Sequence, residues 1–228
     1  MVTTETRAAR VKQTAEVFTP PKLVNEMLDK LPVKMWEENK TFLDPACGNG
    51  EFLIWALIRK LQAGHKLLDA LKTIYGVELM PDNVLECRVR LLKIISYFQP
   101  KITSDYINII CNNIVCHDAL TYDFEFDKQP TQQELDEFTQ KLPVMLTQVK
   151  VPLSKSSKTK TISLIDGKFY IKFEYQDFAV LRALRRLEFQ YDVANRTWLV
   201  LNTQSNIEPL KKLAHTYNFR IEQVSALI

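Results

Sequence analysis

The stretch Thr41-Phe42-Leu43-Asp44-Pro45-Ala46-Cys47-Gly48-Asn49-Gly50-Glu51-Phe52-Leu53 decides how the chain is read. Thr41-Phe42-Leu43 predicts a short buried strand that ends at Asp44. The next six residues form a compact turn in which Gly48 and Gly50 let the backbone approach a ligand closely. From Glu51 to Leu61 the chain is apolar nearly all round (Phe52, Leu53, Ile54, Trp55, Leu57, Ile58), the pattern of a helix buried against a sheet. Strand, glycine turn and helix together open an α/β unit. The turn matches neither GxGxxG nor GxxxxGK[ST], so neither a dinucleotide fingerprint nor a P-loop is present.

Moving outward, the same grammar repeats. Ile74-Tyr75-Gly76-Val77 predicts a second strand ending at Glu78, and Pro81–Phe98 a long helix with proline at its start. Asn113-Ile114-Val115-Cys116 predicts a third strand ending at Asp118. Lys66–Leu71 reads as a short helix. Upstream, Thr19-Pro20-Pro21 introduces an amphipathic helix through Leu31, with Thr19 as its expected cap. Strands alternating with helices predict a parallel sheet with right-handed crossovers. Ligands of such sheets bind beyond the carboxyl ends of the strands. Asp44, Glu78 and Asp118 then lie along one edge, a set of acceptors suited to an ammonium, ribose hydroxyls and an adenine amino group.

Composition bounds the rest. The chain has 228 residues, room for one large domain or two small ones, and only five glycines, which excludes collagen-like and low-complexity architectures. It has no run of about 18 apolar residues, so no membrane span is expected. Residues 1–10 are polar and lack the apolar region of a signal peptide. Cys47, Cys87, Cys111 and Cys116 form no CxxC, and no histidine stands beside them at zinc-ligand spacing, so reduced thiols in a cytoplasmic compartment are expected and no metal site. Charge divides the chain. Residues 1–150 carry 18 Lys and Arg against 20 Asp and Glu, whereas residues 151–228 carry 12 against 7. The polar run Pro152–Thr161 marks the junction. The expected organisation is therefore a first domain over 1–128, a connecting region over 129–160, and a basic module over 161–228 that favours an anionic partner.

Four segments, in order, carry a resemblance. Glu16-Val17-Phe18-Thr19-Pro20, then Phe42 to Leu53, then Gly76-Val77-Glu78-Leu79, then Cys116-His117-Asp118-Ala119-Leu120 resemble the S-adenosylmethionine-binding half of adenine-N6 DNA methyltransferases over about residues 14–125. The resemblance implies a Rossmann-like class I methyltransferase half-domain, a parallel sheet with helices on its faces. It also implies site roles. Phe18, Thr19 and Pro20 border the cofactor. Asp44 and the loop Ala46, Cys47, Gly48, Asn49 and Gly50 wrap its methionine part, with Asp44 near the ammonium. Glu78 accepts from the ribose hydroxyls and Leu79 packs on the adenine. Asp118 takes the adenine amino group, with Ala119 and Leu120 alongside. Transfer in this family is direct attack of the adenine amino nitrogen of a flipped base on the methyl group.

The chain departs from the family at the catalytic motif, Asn/Asp/Ser-Pro-Pro-Tyr/Phe, which follows the third strand. No such tetrapeptide occurs in the sequence, and the one Pro-Pro is Pro20-Pro21. Where the motif is expected the chain reads Phe124-Glu125-Phe126-Asp127-Lys128-Gln129-Pro130-Thr131. No residue is assigned a catalytic role. Beyond it, Gln132–Lys141 is expected to be helical and Pro143–Val151 to form a strand that covers an open sheet edge.

The C-terminal module reads as a small α+β unit of order ββαβαβ. Asp166-Gly167 between Thr161–Ile165 and Lys168–Tyr175 is a hairpin signal. Asp177–Glu188 is a predicted helix, Thr197–Leu201 a strand with Trp198 in its core, Ser205–Tyr217 a second helix and Phe219–Val224 a closing strand. Phe169-Tyr170-Ile171-Lys172-Phe173-Glu174-Tyr175, the helix through Leu184, and Tyr191-Asp192 with Arg196-Thr197-Trp198 are similar to the HARP domain of annealing helicases over about 161–220. That likeness implies DNA binding, with Lys168, Tyr170, Lys172, Arg182, Arg185 and Arg186 as the contacts.

Two functional classes follow. One is an adenine-N6 methyltransferase-type protein that binds S-adenosylmethionine and DNA and takes its catalytic motif from a second chain. The other is a non-catalytic accessory protein built on the same scaffold. Either is expected in the cytoplasm of a bacterial or phage-infected cell.

Overall fold

A computed structural model of the protein describes residues 11, 16–37, 39–99, 101–126, 128–151, 160–173, 177–187, 189–192 and 197–222, without the side chains of residues 178 and 186. Residues 152–159 of the expected linker, and Glu174, Tyr175 and Arg196 of the second likeness, lie outside the described residues. The chain divides into two compact units, one of residues 1–57 and 66–151, the other of residues 58–65 and 152–228.

In the first unit, α1 (Pro21–Leu28) buries Val24 and Leu28. Its N-cap is Pro20 with no side-chain cap bond, so Thr19 does not cap it. The proline pair itself sets the entry, since Pro21 at the first helical position costs no hydrogen bond. Strand β1 (Phe42–Asp44) is followed by α2 (Glu51–Gln62), whose residues from 58 onward count with the second unit, and then by α3 (Leu67–Leu71) and β2 (Ile74–Glu78). Then come α4 (Pro81–Phe98), α5 (Ser104–Asn113) and β3 (Ile114–Cys116). The sheet order is β1-β2-β3 and both pairings are parallel, with Asp44 opposite Gly76 and Glu78 opposite Cys116. All three strands therefore end on the same edge, as their sequence predicts.

Side chains lock these crossovers. Buried Asn113, at the end of α5, donates to the Ile74 carbonyl at 3.0 Å. The Arg88 guanidinium on α4 donates to the carbonyls of Cys111 and Ile114, satisfying acceptors that the end of a helix leaves open. No element was expected over Ser104–Asn112. Its Ile, Tyr and Asn content is weak for a helix on propensity, and burial of Ile110 and Cys111 supplies what propensity does not.

After β3 the structure corrects the sequence reading. Pro143–Val151 forms no strand: one helix, α6 (Gln132–Gln148), runs straight through Pro143. It starts in a capping box, in which the Thr131 hydroxyl accepts from the Glu134 amide and the Glu134 carboxylate accepts from the Thr131 amide. Phe138 and Leu142, four residues apart, are its buried positions. The α4 side chains Lys93 and Arg90 donate to the carbonyls of Val149 and Lys150 just past its end. The first unit thus extends to residue 151, and most of the expected connecting region belongs to it.

The second unit contains one mixed sheet. Its elements are β4 (Thr161–Ile165), β5 (Lys168–Lys172), α7 (Phe178–Arg186), β6 (Gln190–Asp192), β7 (Thr197–Leu201), α8 (Gln204–Tyr217) and β8 (Arg220–Glu222). Strand order is β6-β7-β5-β4-β8, with β4 and β8 parallel and the other pairs antiparallel. The additional strand β6 makes the order ββαββαβ rather than ββαβαβ; at three residues it is too short to show a period. Asp166 (φ +47°) and Gly167 (φ +74°) make the hairpin turn with both residues left-handed, as the Asp-Gly signal requires. Alternation is clean on β5, where Phe169 and Ile171 are fully buried and Lys168 and Lys172 exposed. Lys160 lies inside this unit, its ammonium 2.6 Å from the Asp177 carboxylate that also caps α7 through the Val180 amide.

Candidate functional site

The site begins where β1 stops. Asp44 turns its Oδ1 back to accept from the Ala46 amide at 3.2 Å. The Cys47 amide donates to the Val77 carbonyl at 3.0 Å and the Gly50 amide to the Cys47 carbonyl at 2.8 Å. The loop is thereby pinned to the end of β2. Gly48 (φ +52°) and Gly50 (φ +84°) occupy left-handed backbone. A Cβ at Gly48 would stand 3.1 Å from the Phe18 ring, and one at Gly50 would stand 2.4 Å from the Cys87 Sγ. The Phe18 segment and the glycine loop therefore meet, as expected for two parts of one site.

Glu78, at the end of β2, organises the centre. Its Oε2 accepts from the Gly48 amide at 2.8 Å and its Oε1 from the Met80 amide at 2.9 Å. Each oxygen has two lone-pair directions, so the carboxylate keeps capacity for further donors. Buried Asn83, in the first turn of α4, donates to Glu16 Oε1 at 2.6 Å and reaches Glu78 Oε1 at 3.5 Å. Asn49 donates to Glu86 Oε1 at 3.1 Å. Glu16, Asn83 and Glu86 escaped the sequence reading of the site. The signal was there in Asn83, which lies five residues past Glu78 on the face of α4 toward the strand end.

The third strand end is open. The His117 amide continues the ladder to the Glu78 carbonyl at 3.0 Å, and Asp118 Oδ1 accepts from the Leu120 amide at 2.9 Å in an exposed turn. Leu79 (61% exposed) and Leu120 (93%) follow the second and third strand ends, with Ala119 half-buried between the last two site residues. Exposed leucines in such a place leave apolar surface in water that an aromatic ring would cover.

Electrostatics mark the same spot. Burial pushes the Asp44 carboxyl above the usual aspartate range; the Ala46 amide opposes the shift and the Glu78 charge adds to it. Two carboxylates near enough for one to raise the other's pKa form a site that favours positive charge. The buried Cys47 thiol is pushed up by its hydrogen bond with Cys87 and by burial, so it stays protonated and packs against Gly76 rather than reacting. Among the described residues no group of three His, Cys, Asp or Glu is placed to hold a metal ion. A cavity of about 610 Å³ opens beside the end of β3, lined by Cys116, His117, Asp82, Arg88, Tyr122 and Glu134, and includes none of Asp44, Gly48 or Glu78.

In the second unit the structure separates the candidate nucleic-acid contacts. Lys168, Tyr170 and Lys172 alternate with the buried Phe169 and Ile171, so they share the face of β5 opposite the core. Arg182 and Arg185 stand on α7, whose Val180, Leu181 and Leu184 are fully buried. One patch cannot hold both groups. Arg185 is moreover engaged: its guanidinium donates to the carbonyls of Leu61 and His65 at the end of α2, residues of this same unit. The Arg186 side chain lies outside the described residues.

Comparison with known families gives one result. Residues 4–123 match the family model described as N-6 DNA Methylase, a span that contains every residue of the strand-end site. No curated protein and no solved structure matches the chain.

Proposed function

The chain belongs to the N-6 DNA methylase family, and from that premise we propose that it holds S-adenosylmethionine at the carboxyl ends of β1, β2 and β3 and engages DNA through its second unit. The observation that carries this reading is the edge itself: three parallel strands end with Asp44, Glu78 and, two residues on, Asp118 on one side of the sheet, beside a loop whose two glycines adopt backbone that side chains resist. The residues fit the group. Asp44 and Glu78 together favour a cation, and the methionine ammonium supplies one. Glu78 offers its remaining lone pairs to the ribose hydroxyls, and exposed Leu79 and Leu120 offer apolar surface to the adenine. Phe18 lies against Gly48 of the loop and, with Thr19 and Pro20, borders the cofactor. When bound, the cofactor supplies a methyl group activated on a sulfonium. This chain's own residues bind and orient; the acceptors for the target amino group come from a segment carrying the Asn/Asp/Ser-Pro-Pro-Tyr/Phe motif on a second chain.

The absence of that motif from the 228 residues also favours a second reading, an accessory DNA-binding protein on a methyltransferase scaffold. Calorimetry of the full chain with S-adenosylmethionine and S-adenosylhomocysteine tests the cofactor site. Both should bind, and Asp44→Asn should weaken S-adenosylmethionine at least tenfold. No binding, or an unchanged affinity in Asp44→Asn, removes the cofactor site. Transfer of labelled methyl to DNA on adding a chain that carries the motif separates the two readings.

A further inference from the structure

The second unit's sheet has one face that no described helix covers. The connections β5-α7-β6 and β7-α8-β8 each join parallel strands, and right-handed crossovers place both helices on the same side. That side is the core, formed by Ile162, Phe169, Ile171, Trp198 and Val200 under Leu181, Leu184, Leu210 and Leu213. The opposite side is read off the register. Its central row runs Gln190, Leu199, Tyr170, Ser163, Glu222, and the row beside it runs Leu201, Lys168, Ile165. Ile165 (48% exposed), Leu201 (61%), Lys168 and Lys172 are open to water, and Tyr170 and Leu199 are half-buried. One corner is closed, where Thr197 is buried.

We propose that this face is a platform for single-stranded nucleic acid, with an unstacked base laid on Tyr170 and the flanking phosphates held by Lys168 and Lys172. The proposal rests on the reading that the second unit engages DNA, and it names the form of DNA. Tyr170 is the middle residue of the middle strand. Lys168 and Lys172 lie two residues to either side of it, about 13 Å apart at ~3.3 Å per residue. Neither lysine has an ion-pair partner among the described residues, whereas Arg220 at the sheet edge is paired with Glu222. An aromatic between two free cations, amid apolar side chains, is the composition of a stacking platform.

Width sets an undistorted duplex against Tyr170. Five strands spaced ~4.8 Å apart make a surface about 19 Å across between the outer strand axes. The major groove, about 12 Å wide, admits a helix or a two-stranded ribbon, so this face does not enter it whole. A sheet reaches bases from the minor-groove side only where the duplex is bent and opened at a cost of a few kcal/mol per step, whereas a single strand presents its bases without that cost. A second copy of the chain is disfavoured as occupant, because two such faces pressed together bring unpaired lysines against unpaired lysines.

The test is fluorescence anisotropy of the full chain with a labelled oligothymidylate and a duplex of the same length. Single strand should bind more tightly than duplex. Tyr170→Leu, which keeps an apolar residue in the sheet but removes the ring, should weaken single-strand binding about 5- to 150-fold, the range of one lost base stack. Tyr170→Phe should stay within about twofold, since the ring carries the stack. Replacing both lysines by alanine should lower the slope of log affinity against log salt by about 0.7 each. Lys212→Glu, a charge reversal on the helix side, should leave single-strand affinity unchanged. Duplex binding equal to or tighter than single-strand binding, or a Tyr170→Leu chain that binds like the parent, overturns the platform while leaving DNA engagement intact. Failure to bind either form overturns both. Concentration-dependent dimerisation abolished by Tyr170→Leu assigns the face to a second copy and also refutes it.

Discussion

Replacing Gly50 by alanine tests the cofactor loop where its geometry is tightest. Two penalties can be worked out separately. The residue sits at φ +84°, and a left-handed conformation costs an L-residue about 1–2 kcal/mol. The new Cβ would lie 2.4 Å from the Cys87 Sγ and 3.2 Å from its Cβ. Cys87 is fully buried on α4, so its sulfur has nowhere to retreat, and overpacking of this kind costs about 1–3 kcal/mol. The sum is roughly 2–5 kcal/mol, a large part of the stability of a domain. Because the chain has two units, a single melting temperature would mix them. Amide hydrogen exchange reads the first unit directly through the Phe42, Cys47 and His117 amides, which donate to Thr73, Val77 and Glu78. At 1.4 kcal/mol per factor of ten, their exchange should accelerate from about 30-fold to a few thousand-fold. Cys87→Ala in the same chain removes the 2.4 Å contact but neither the backbone strain nor the 3.2 Å contact. The double variant should therefore recover about half the loss. Exchange unchanged in Gly50→Ala, or no recovery on adding Cys87→Ala, would refute the packing of loop against helix described above.

Two further perturbations probe charge. Asp44 has its carboxyl held above the usual range by burial, so it is neutral at a pH where an ordinary aspartate is still charged. S-adenosylmethionine affinity should weaken as pH falls through that raised value toward the ordinary aspartate pKa of 3.8, and Asp44→Asn should flatten the profile; calorimetry showing a pH-independent affinity in the parent chain contradicts the ammonium assignment. Arg90 on α4 donates to the Glu51 carboxylate, to the Asn49 carbonyl at 2.8 Å and to the Lys150 carbonyl at 3.0 Å, and the ion pair is nearly dry at 6% and 11% exposure. Arg90→Ala should cost about 3–5 kcal/mol because it strands the Glu51 charge, and Arg90→Ala with Glu51→Ala should cost less than Arg90→Ala alone. Urea unfolding that ranks the two the other way shows that the pair adds no net constraint.

The strand-end site was legible because its signals are local. An apolar run stopping at an acidic residue is a one-dimensional pattern, and a parallel sheet turns three of them into one edge. Glycine at 48 and 50 was legible for the same reason. What stayed hidden depends on contacts between distant residues. Asn83 and Glu16 meet across 67 positions, and no spacing rule announces it. The helix over Ser104–Asn113 was hidden because β-branched and amide residues score poorly until burial outweighs propensity. The expected helix over Gln132–Lys141 continues through Pro143 to Gln148, because burial of Phe138 and Leu142 on one face outweighs the break that a proline signals. The candidate cations of the C-terminal module do not share one surface, for a different reason. Charge was counted along the chain, but a strand and a helix on opposite sides of a core cannot pool their cations, and Arg185 is spent on helix-end carbonyls.

What the chain does after β3 bears on catalysis as directly as the missing tetrapeptide. A strand added to this sheet needs a free edge with its backbone groups available. Among the described residues β1 pairs only with β2, so its outer edge, ending at Asp44 beside the glycine loop, is open for pairing. The described residues of 117–151 do not supply that strand. They run through the turn at Asp118 and then into α6, and Lys93 and Arg90 tie Val149 and Lys150 to α4. Leu43, in the middle of β1, is 43% exposed, which is costly for a residue that the fold otherwise has reason to cover. A segment pairing parallel to this edge would place its carboxyl end next to Asp44.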